Sequence, residues 1–516
     1  MWNWPNLARA AVPGDVAPFV PTIPTGDLRA AFAALPGDHV GEVAVRPLID
    51  NVEAWTERWR LLAGAEQRLD VGYFILTEDV FGMAMLGHLL HKAEQGVRVR
   101  LLLDAMGRTM GRDIDRDDCV PALVGLAGLE VRAYRPMRAR LLDALRELNP
   151  LAALASNHDK IFVADDAVGL IGGRNIGARY FAHAADLPEA FHDIDLTLEG
   201  VAAVAALVGA FERIHLDGQT EVVDAADDGL RQRCLVEMRR AYRAMDSWLQ
   251  PGRASDAIPV ARSADDRWHQ ELSELPRLRG ALGRPRPAAS NGSVVILNSL
   301  PRRRPQLDPI TASLLMMLQA ASRQVLVASP YLVLTEDMAQ ALAASGERGI
   351  DIVTVTNSPV STDNPFSGEL FLDVWPELLA KVPNMRLFAG GTERNLHGKL
   401  TVFDGAVALV GAYNLDPISL TINGEIAAAI WSEELAARFA EQPYALLRQG
   451  PPLIYEYLIE RDARGRPLRD DDGEVLVAFG PADHSDPEQW QRPNLMWRLL
   501  RLAAYLPAGP NVFAVP

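Results

Sequence analysis

The chain has 516 residues, a formal net charge of −16 and two cysteines, Cys119 and Cys234. Its length exceeds a single-core domain, and its negative field repels polyanions, which argues against a general nucleic-acid-binding protein. Two cysteines so far apart in sequence predict neither a disulfide framework nor a thiolate metal site, and they fit a reducing compartment.

The first half of the chain predicts an α/β domain preceded by an arm. Residues 1–42 are rich in Pro, Ala and Gly and predict an irregular arm without a signal peptide or membrane span. Over residues 43–217, helical periods alternate with apolar strands such as Leu69–Leu76 and Val97–Asp104. This alternation predicts a mixed, mostly parallel sheet flanked by helices.

The second half repeats this order over residues 293–449. YLVLTED at Tyr331–Asp337 resembles YFILTED at Tyr73–Asp79, and Gly96 and Gly349 each precede an apolar strand. Such extended similarity predicts two related domains. The first half carries about 19 extra residues, which we place in Arg135–Ser156. This segment is either a lid or membrane-facing rim, or a surface helix that covers the domain.

Two further segments flank the second domain. Residues 218–292 predict an interdomain helix followed by a flexible linker, because Pro, Gly and Ser accumulate in them. Residues 450–516 predict a hairpin over Tyr455–Phe479 and a short apolar helix over Asn494–Pro507. Fourteen residues cannot span a bilayer, so this helix either lies at a membrane interface or docks on the body.

The strongest signal is a motif that occurs twice, in Asn157–Asn175 and Leu396–Asn414. Residues at equal offsets are His158 and His397, Lys160 and Lys399, Asp165 and Asp404, and Asn175 and Asn414. Only four of the 51 basic residues are Lys, and two of the four occupy this motif. A compact ammonium differs from a planar guanidinium, so the chemistry of these positions calls for lysine.

The spacing indicates one shared site for substitution at a phosphodiester. Alternation along a strand places each His and Lys on one face, while Gly173 and Gly411 permit a close turn that brings the two Asn amides in as donors. One imidazole attacks phosphorus, the other transfers protons, and the ammonium groups stabilise charge without a metal or cofactor. Asp193 and Glu425 are the predicted acids that orient the imidazoles. Asp165 and Asp404, at a turn, are predicted to be structural.

The doubled pattern H-x-K-x4-D-x6-G-x2-N resembles the phospholipase D superfamily, and Val43–Gln449 is most similar to bacterial cardiolipin synthases of that type. The resemblance implies two phospholipase D-like domains related by a pseudo-twofold axis. It also implies that His158 is the nucleophile and His397 the general acid and base, an assignment that the repeat alone leaves open. Ala412 and Ile418 depart from the family pattern and leave the acceptor open.

The function that this resemblance implies is transfer of a phosphatidyl group between phospholipids, with phosphatidylglycerol or phosphatidylethanolamine as substrate. The alternatives are a phospholipase D that releases phosphatidic acid and, less favoured by the acidic charge, another phosphodiesterase or a nuclease. We expect a membrane surface and no nucleic acid as partner. The expected location is the bacterial cytoplasm, peripheral on the inner membrane.

Overall fold

The computed structural model describes residues 25–113, 115–146, 151–252, 267–302 and 308–490. Its strands are β1 (Asp38–Leu48), β2 (Arg68–Tyr73), β3 (Arg98–Asp104), β4 (Leu129–Tyr134), β5 (Ile161–Ala164), β6 (Val168–Gly172), β7 (Asp195–Glu199), β8 (Thr220–Val222), β9 (Ser290–Ser299), β10 (Gln324–Ala328), β11 (Asp351–Thr356), β12 (Met385–Gly390), β13 (Leu400–Phe403), β14 (Val407–Gly411), β15 (Glu425–Trp431), β16 (Ile454–Ile459) and β17 (Val477–Phe479). Its helices are α1 (Leu28–Ala33), α2 (Asn51–Gly64), α3 (Val80–Glu94), α4 (Ala105–Met110), α5 (Met137–Arg146), α6 (Leu151–Leu154), α7 (Ala178–Phe181), α8 (Val201–His215), α9 (Asp228–Leu249), α10 (Arg267–Ser273), α11 (Pro309–Ala320), α12 (Glu336–Glu347), α13 (Pro365–Lys381), α14 (Pro417–Thr421) and α15 (Glu433–Gln449).

The strands form one continuous sheet with a pseudo-twofold axis at its centre. Their order is β8, β4, β3, β2, β5, β6, β7, β1, β9, β15, β14, β13, β10, β11, β12, β16 and β17. Outward from the antiparallel β1–β9 pair, both halves follow the same order. The predicted α/β class and duplicated mixed sheet are confirmed. Antiparallel pairs outnumber parallel ones, however, because the motif strands fold back on one another.

The sheet is covered on both faces. Helices α8 and α15 pack on a face shared by both halves, where residues such as Ile161 and Ile426 are buried together. On the other face, α2, α3 and α9 cover the first half and α11, α12 and α13 the second. Both faces of the central strands are therefore buried, which explains their near-continuous apolar sequence.

Local signals set the ends of the helices that follow the matched strands. The Asp79 carboxylate accepts hydrogen bonds from the backbone N–H groups of Phe81 and Gly82 and begins α3. Gly96 and Gly349, just past α3 and α12, have φ values of +93° and +83°. Glycine adopts this left-handed conformation without a steric penalty, so each helix ends there and the next strand begins.

The described residues nearest the two ends of the chain form regular elements. Residues 25–42 are not an irregular arm, because α1 packs its Phe32 against Trp431 and β1 begins at Asp38. The hairpin predicted within residues 450–516 is present as β16 and β17, but β16 also pairs with β12 and so belongs to the second half of the sheet. Residues 1–24 and the predicted apolar helix at 494–507 lie outside the described residues.

The interdomain segment also contributes to the sheet and core. Strand β8, predicted to lie beyond the first domain, pairs with β4 and completes that half, as β16 completes the other. Helix α9 packs on α3, where Tyr242 stacks on His91 with ring centroids 5.0 Å apart, and it also reaches Trp59 of α2. Residues 253–266 of the predicted linker lie outside the described part.

The two cysteines pair, although their number and spacing in the sequence did not indicate a disulfide. Cys119 and Cys234 form a disulfide across 115 residues of sequence, with Cα atoms 5.2 Å apart. The cause is the packing of α9 against the short turn Val120–Leu123, which sequence distance does not reveal. Disulfides persist in oxidising compartments, so the pair argues against the predicted reducing one.

Candidate active site

The two motif histidines lie where the halves of the chain exchange backbone hydrogen bonds. His158, just before β5, donates its backbone N–H to the carbonyl of Gly424 at 2.8 Å. His397, just before β13, donates its backbone N–H to the carbonyl of His192 at 2.6 Å. Each histidine is thus fixed by the opposite half of the molecule. The two lie close enough at the pseudo-twofold axis for His397 to affect the pKa of His158, and the space between them is called the cleft.

The predicted orienting acids contact the histidines in a crossed arrangement. His158 Nδ1 lies 2.9 Å from Glu425 Oε2, and His397 Nδ1 lies 2.6 Å from Asp193 Oδ2. Both carboxylates are fully buried. An acid at Nδ1 favours a proton there and leaves the lone pair on Nε2. Each acid therefore orients the imidazole of the other motif, a pairing that its position in the sequence does not specify.

The two lysines lie beside the imidazoles. Lys160 Nζ donates to the carbonyl of His158 at 2.7 Å and lies 5.6 Å from the ring centroid of Phe74. Lys399 Nζ donates to the carbonyl of His397 at 2.6 Å and lies 2.8 Å from its Nδ1 and 3.1 Å from its Nε2. Two buried ammonium groups next to two imidazoles suit the binding of a phosphate anion.

Aromatic rings hold the imidazoles on their remaining sides. Phe74 meets His158 edge to face, with ring centroids 5.0 Å apart. Phe191 stacks on His397 and Tyr180 meets it edge to face, both with centroids 5.4 Å apart. Packing on these faces restricts rotation of the imidazoles away from their acids.

Burial and like charges keep the imidazoles neutral. Burial, followed by the charges of Lys160 and Lys399, holds the pKa of His158 well below its usual range. Burial and Lys399 also lower the pKa of His397, although Asp193 opposes this shift. A neutral imidazole is the nucleophilic form, so these shifts favour attack on phosphorus.

The two acids are not electrostatically equivalent. Burial raises the pKa of Glu425 to about 7, and Lys160 and a hydrogen bond from Ser419 only partly offset this shift. Burial acts in the same direction on Asp193, but His397 and Lys399 outweigh it and lower the pKa of Asp193 below its usual value. The acid beside His397 is therefore ionised over a wider pH range than the acid beside His158.

The motif glycines and asparagines have protein neighbours. A Cβ on Gly173 would lie 2.2 Å from Asp193 Oδ1, and a Cβ on Gly411 would lie 2.2 Å from the carbonyl oxygen of Ile426. The Asn175 amide accepts from the backbone N–H of Ile75 and donates to the hydroxyl of Tyr180, both at 3.0 Å. The close approaches at these glycines are therefore contacts within the protein.

Asn414 differs from its counterpart Asn175. Its Oδ1 is buried and makes no hydrogen bond within the described part of the chain. The two amides thus occupy unlike surroundings, although they stand at the same motif offset.

Asp165 and Asp404 lie at turns beyond the motif strands. Their carboxylates accept hydrogen bonds from three successive backbone N–H groups, those of residues 66–68 and 322–324 respectively. Both residues have positive φ, +50° and +52°. Each Asp therefore fastens the turn before one parallel strand to the end of a motif strand.

Sequence reasoning missed a pair of residues that position the histidines. Asp104 Oδ2 accepts the backbone N–H of Asn157 at 2.9 Å, and Asn357 Oδ1 accepts that of Leu396 at 2.8 Å. Each acceptor thus holds the residue immediately before a motif histidine. The signal was present, because Asp104 and Asn357 each lie eight residues after the matched glycines 96 and 349.

The residues given by the structure include no cluster of three or more His, Cys, Asp or Glu that could hold a metal ion. Within the same ranges, no helix is both long and apolar enough to cross a membrane.

Comparison with known proteins gives consistent matches. The chain matches the family described as cardiolipin synthase, PLD-like domain, over residues 59–214 and 314–443. Cardiolipin synthase C of Escherichia coli K12 is 28% identical over 460 residues, which cover 81% of this chain and 88% of that protein. A cardiolipin synthase of Geobacillus kaustophilus is 24% identical, covering 81% of this chain and 69% of the relative. The solved structure of phosphatidylserine synthase from Haemophilus influenzae superposes with a TM-score of 0.58 at 15% identity, over 92% of this chain and 97% of that one, and so shares its fold.

Proposed function

Because this chain belongs to the PLD-like family of cardiolipin synthases, we propose that it transfers a phosphatidyl group from one phospholipid to a hydroxyl of another. It is a phosphatidyltransferase of the phospholipase D superfamily. The observation that carries the proposal is the crossed pair of imidazole–carboxylate contacts at 2.9 and 2.6 Å, which brings both motifs to one cleft.

In the first step, Nε2 of His158 attacks the phosphorus of the donor lipid. The new N–P bond forms as the P–O bond to the leaving alcohol breaks, and His397 gives its proton to the departing oxygen. The anionic phosphodiester offsets the Lys399 charge that, together with burial, lowers the pKa of His397, so substrate binding favours the protonated form that this step needs. Asp193 stabilises the resulting imidazolium.

In the second step, His397 takes the proton of the acceptor hydroxyl as its oxygen attacks phosphorus and the N–P bond breaks. Lys160 and Lys399 stabilise charge on the non-bridging oxygens in both steps. Asn175 and Asn414 add amide contacts at the edge of this position, and Gly173 and Gly411 keep the surrounding backbone close. Asp165 and Asp404 are structural in this proposal.

Substrate and location follow from the same family. We expect phosphatidylglycerol or phosphatidylethanolamine as donor, and peripheral attachment to a bacterial membrane. The Cys119–Cys234 disulfide favours the side of that membrane that faces an oxidising compartment over the cytoplasmic side predicted from the sequence.

The test is product analysis with purified protein and phosphatidylglycerol vesicles. Cardiolipin with release of glycerol supports transfer, whereas phosphatidic acid as the sole lipid product identifies a hydrolase. His158→Ala should abolish either product. His397→Ala should at most accumulate a covalent lipid adduct slowly, and full activity of either variant contradicts the mechanism.

A further inference from the structure

Helix α5 is inverted relative to an ordinary surface helix. Its buried residues are charged, namely Arg140 and Asp143, which are 1% and 5% exposed. Three of its leucines face outward: Leu141, Leu142 and Leu145 are 63%, 50% and 71% exposed. A helix on a soluble surface usually buries its apolar stripe and exposes its charges, so α5 shows the reverse of the usual arrangement.

Buried ion pairs hold α5 in this orientation. The Arg140 guanidinium donates to both oxygens of Asp104 at 2.8 and 3.0 Å, and also to the carbonyl of Ala155. Arg135, just before the helix, donates to Asp143 at 2.9 Å. Rotating α5 to bury its leucines would first break these buried ion pairs. The outward orientation of its apolar face is therefore fixed.

Through its buried side, helix α5 lies beside the candidate active site. Arg140 donates to the hydroxyl of Ser156 at 3.1 Å, and its partner Asp104 accepts the backbone N–H of Asn157. Both contacts are within two residues of His158. Two methionines are also exposed, Met137 on α5 and Met110 at the end of α4, at 47% and 62%.

We propose that Met110, Met137, Leu141, Leu142 and Leu145 form a bilayer-docking surface that seats the mouth of the cleft on the membrane. The inference rests on the proposed function, because a phosphatidyl donor keeps its acyl chains in the bilayer while its phosphate enters the cleft. Arg146, exposed on the same helix, suits contact with an anionic lipid phosphate, whereas the charge of Arg138 is paired with Glu221. An interfacial helix combines these features, apolar side chains flanked by basic ones.

The described residues nearest the two ends of the chain lie in the half of the molecule that does not carry α5. The last described residue, Trp490, bonds to Ser485 beyond β16, at the far end of the sheet from α5. Helix α1 lies against α11, also in the second half. Both terminal segments outside the structure therefore leave from the half of the molecule that does not carry α5.

The test compares Leu141→Ser/Leu142→Ser/Leu145→Ser with a control, Val201→Ser/Leu216→Ser, whose residues are 80% and 68% exposed at the two ends of α8. Sedimentation with phosphatidylglycerol and phosphatidylethanolamine vesicles should fall about tenfold or more in the triple variant and stay unchanged in the control. Turnover of vesicle substrate should fall in parallel. Turnover of short-chain phosphatidylglycerol, dissolved as monomers, should stay at the wild-type level.

Unchanged vesicle binding by the triple variant overturns the proposal. So does loss of a wild-type dimer on size exclusion in the triple variant, which would assign the surface to a second copy of the chain. If the wild type binds vesicles through these leucines yet turns over no phospholipid, the docking surface stands and the proposed function fails.

Discussion

Replacing Asp193 by Asn should impair His397, which is 204 residues away in sequence, and spare His158. Asp193 Oδ2 lies 2.6 Å from His397 Nδ1, whereas His158 contacts Glu425. An amide keeps the size of the carboxylate but cannot stabilise an imidazolium charge. Glu425→Gln should have the converse effect and impair His158.

The size of the effect follows from burial. Asp193 is fully buried and the His397 side chain is 5% exposed, so water cannot replace the lost partner. Removing one partner of a buried, hydrogen-bonded charge pair costs about 3 kcal/mol at the lower end of the measured range. Such a loss in the step that needs the His397 imidazolium corresponds to a rate reduction of roughly 150-fold.

The two histidines can be separated with a phosphatidyl p-nitrophenyl ester, whose leaving group departs without protonation. Rapid mixing then resolves a burst, which reports attack by His158, from steady turnover, which needs His397. Asp193→Asn should keep a burst close to wild type and lose turnover, while Glu425→Gln should slow the burst. Asp166→Asn, at an exposed position, serves as control. A slowed burst in Asp193→Asn with a normal burst in Glu425→Gln refutes the crossed assignment.

Three further predictions concern charge, pH and the disulfide. Lys160→Arg should lower kcat/KM by about 100-fold or more, because a planar fork cannot replace a buried ammonium, whereas Lys381→Arg, at an exposed site, should leave it unchanged. Activity should fall on the acid side as Glu425, with a pKa of about 7, takes up a proton, and on the basic side as Lys160, whose pKa burial lowers to about 7, loses its charge. A pH–rate profile of Glu425→Gln that retains the acid limb contradicts the first assignment. Reduction of Cys119–Cys234, which closes a loop across 115 residues, should lower the free energy of unfolding by about 4–5 kcal/mol, and an unchanged Tm in dithiothreitol contradicts it.

The repeated offsets predict which residues correspond, but not which half supplies each contact. Asp193 and Glu425 stand out in sequence because an acid follows each motif. Near a pseudo-twofold axis, however, a side chain can reach the opposite half as easily as its own. Which half supplies each acid depends on the order of strands around the central β1–β9 pair, and that order depends on long-range strand pairing.

Similar letters also mislead about register. The sequence match of YFILTED with YLVLTED aligns Leu76 with Leu334. In the structure Leu76 pairs with Ile176, and the equivalent pair in the second half joins Leu332 to Leu415. The structural counterpart of Leu76 is therefore Leu332, two residues before Leu334. The hydroxyl of Tyr331 consequently donates to Asp363 at 2.7 Å. The similarity of these two segments therefore reflects their composition and not structural equivalence.

The features that the sequence did not indicate are set by tertiary packing. A helical period was visible in α5, but periodicity identifies an apolar stripe without saying which way it faces. Buried ion pairs of Arg135 and Arg140 decide that direction. The disulfide is comparable, because nothing local to Cys119 or Cys234 indicates the helix contact that joins them.

The surroundings of the motifs also indicate which of the two histidines is the nucleophile and which is the general acid and base. A general acid and base alternates between neutral and cationic forms, so it needs a partner that stays ionised throughout the cycle. Asp193, held ionised beside His397 by Lys399, meets this need better than Glu425, whose pKa of about 7 lets it lose its charge near neutrality. Electrostatics thus favours the same assignment as the family resemblance, with attack at His158 and proton transfer at His397.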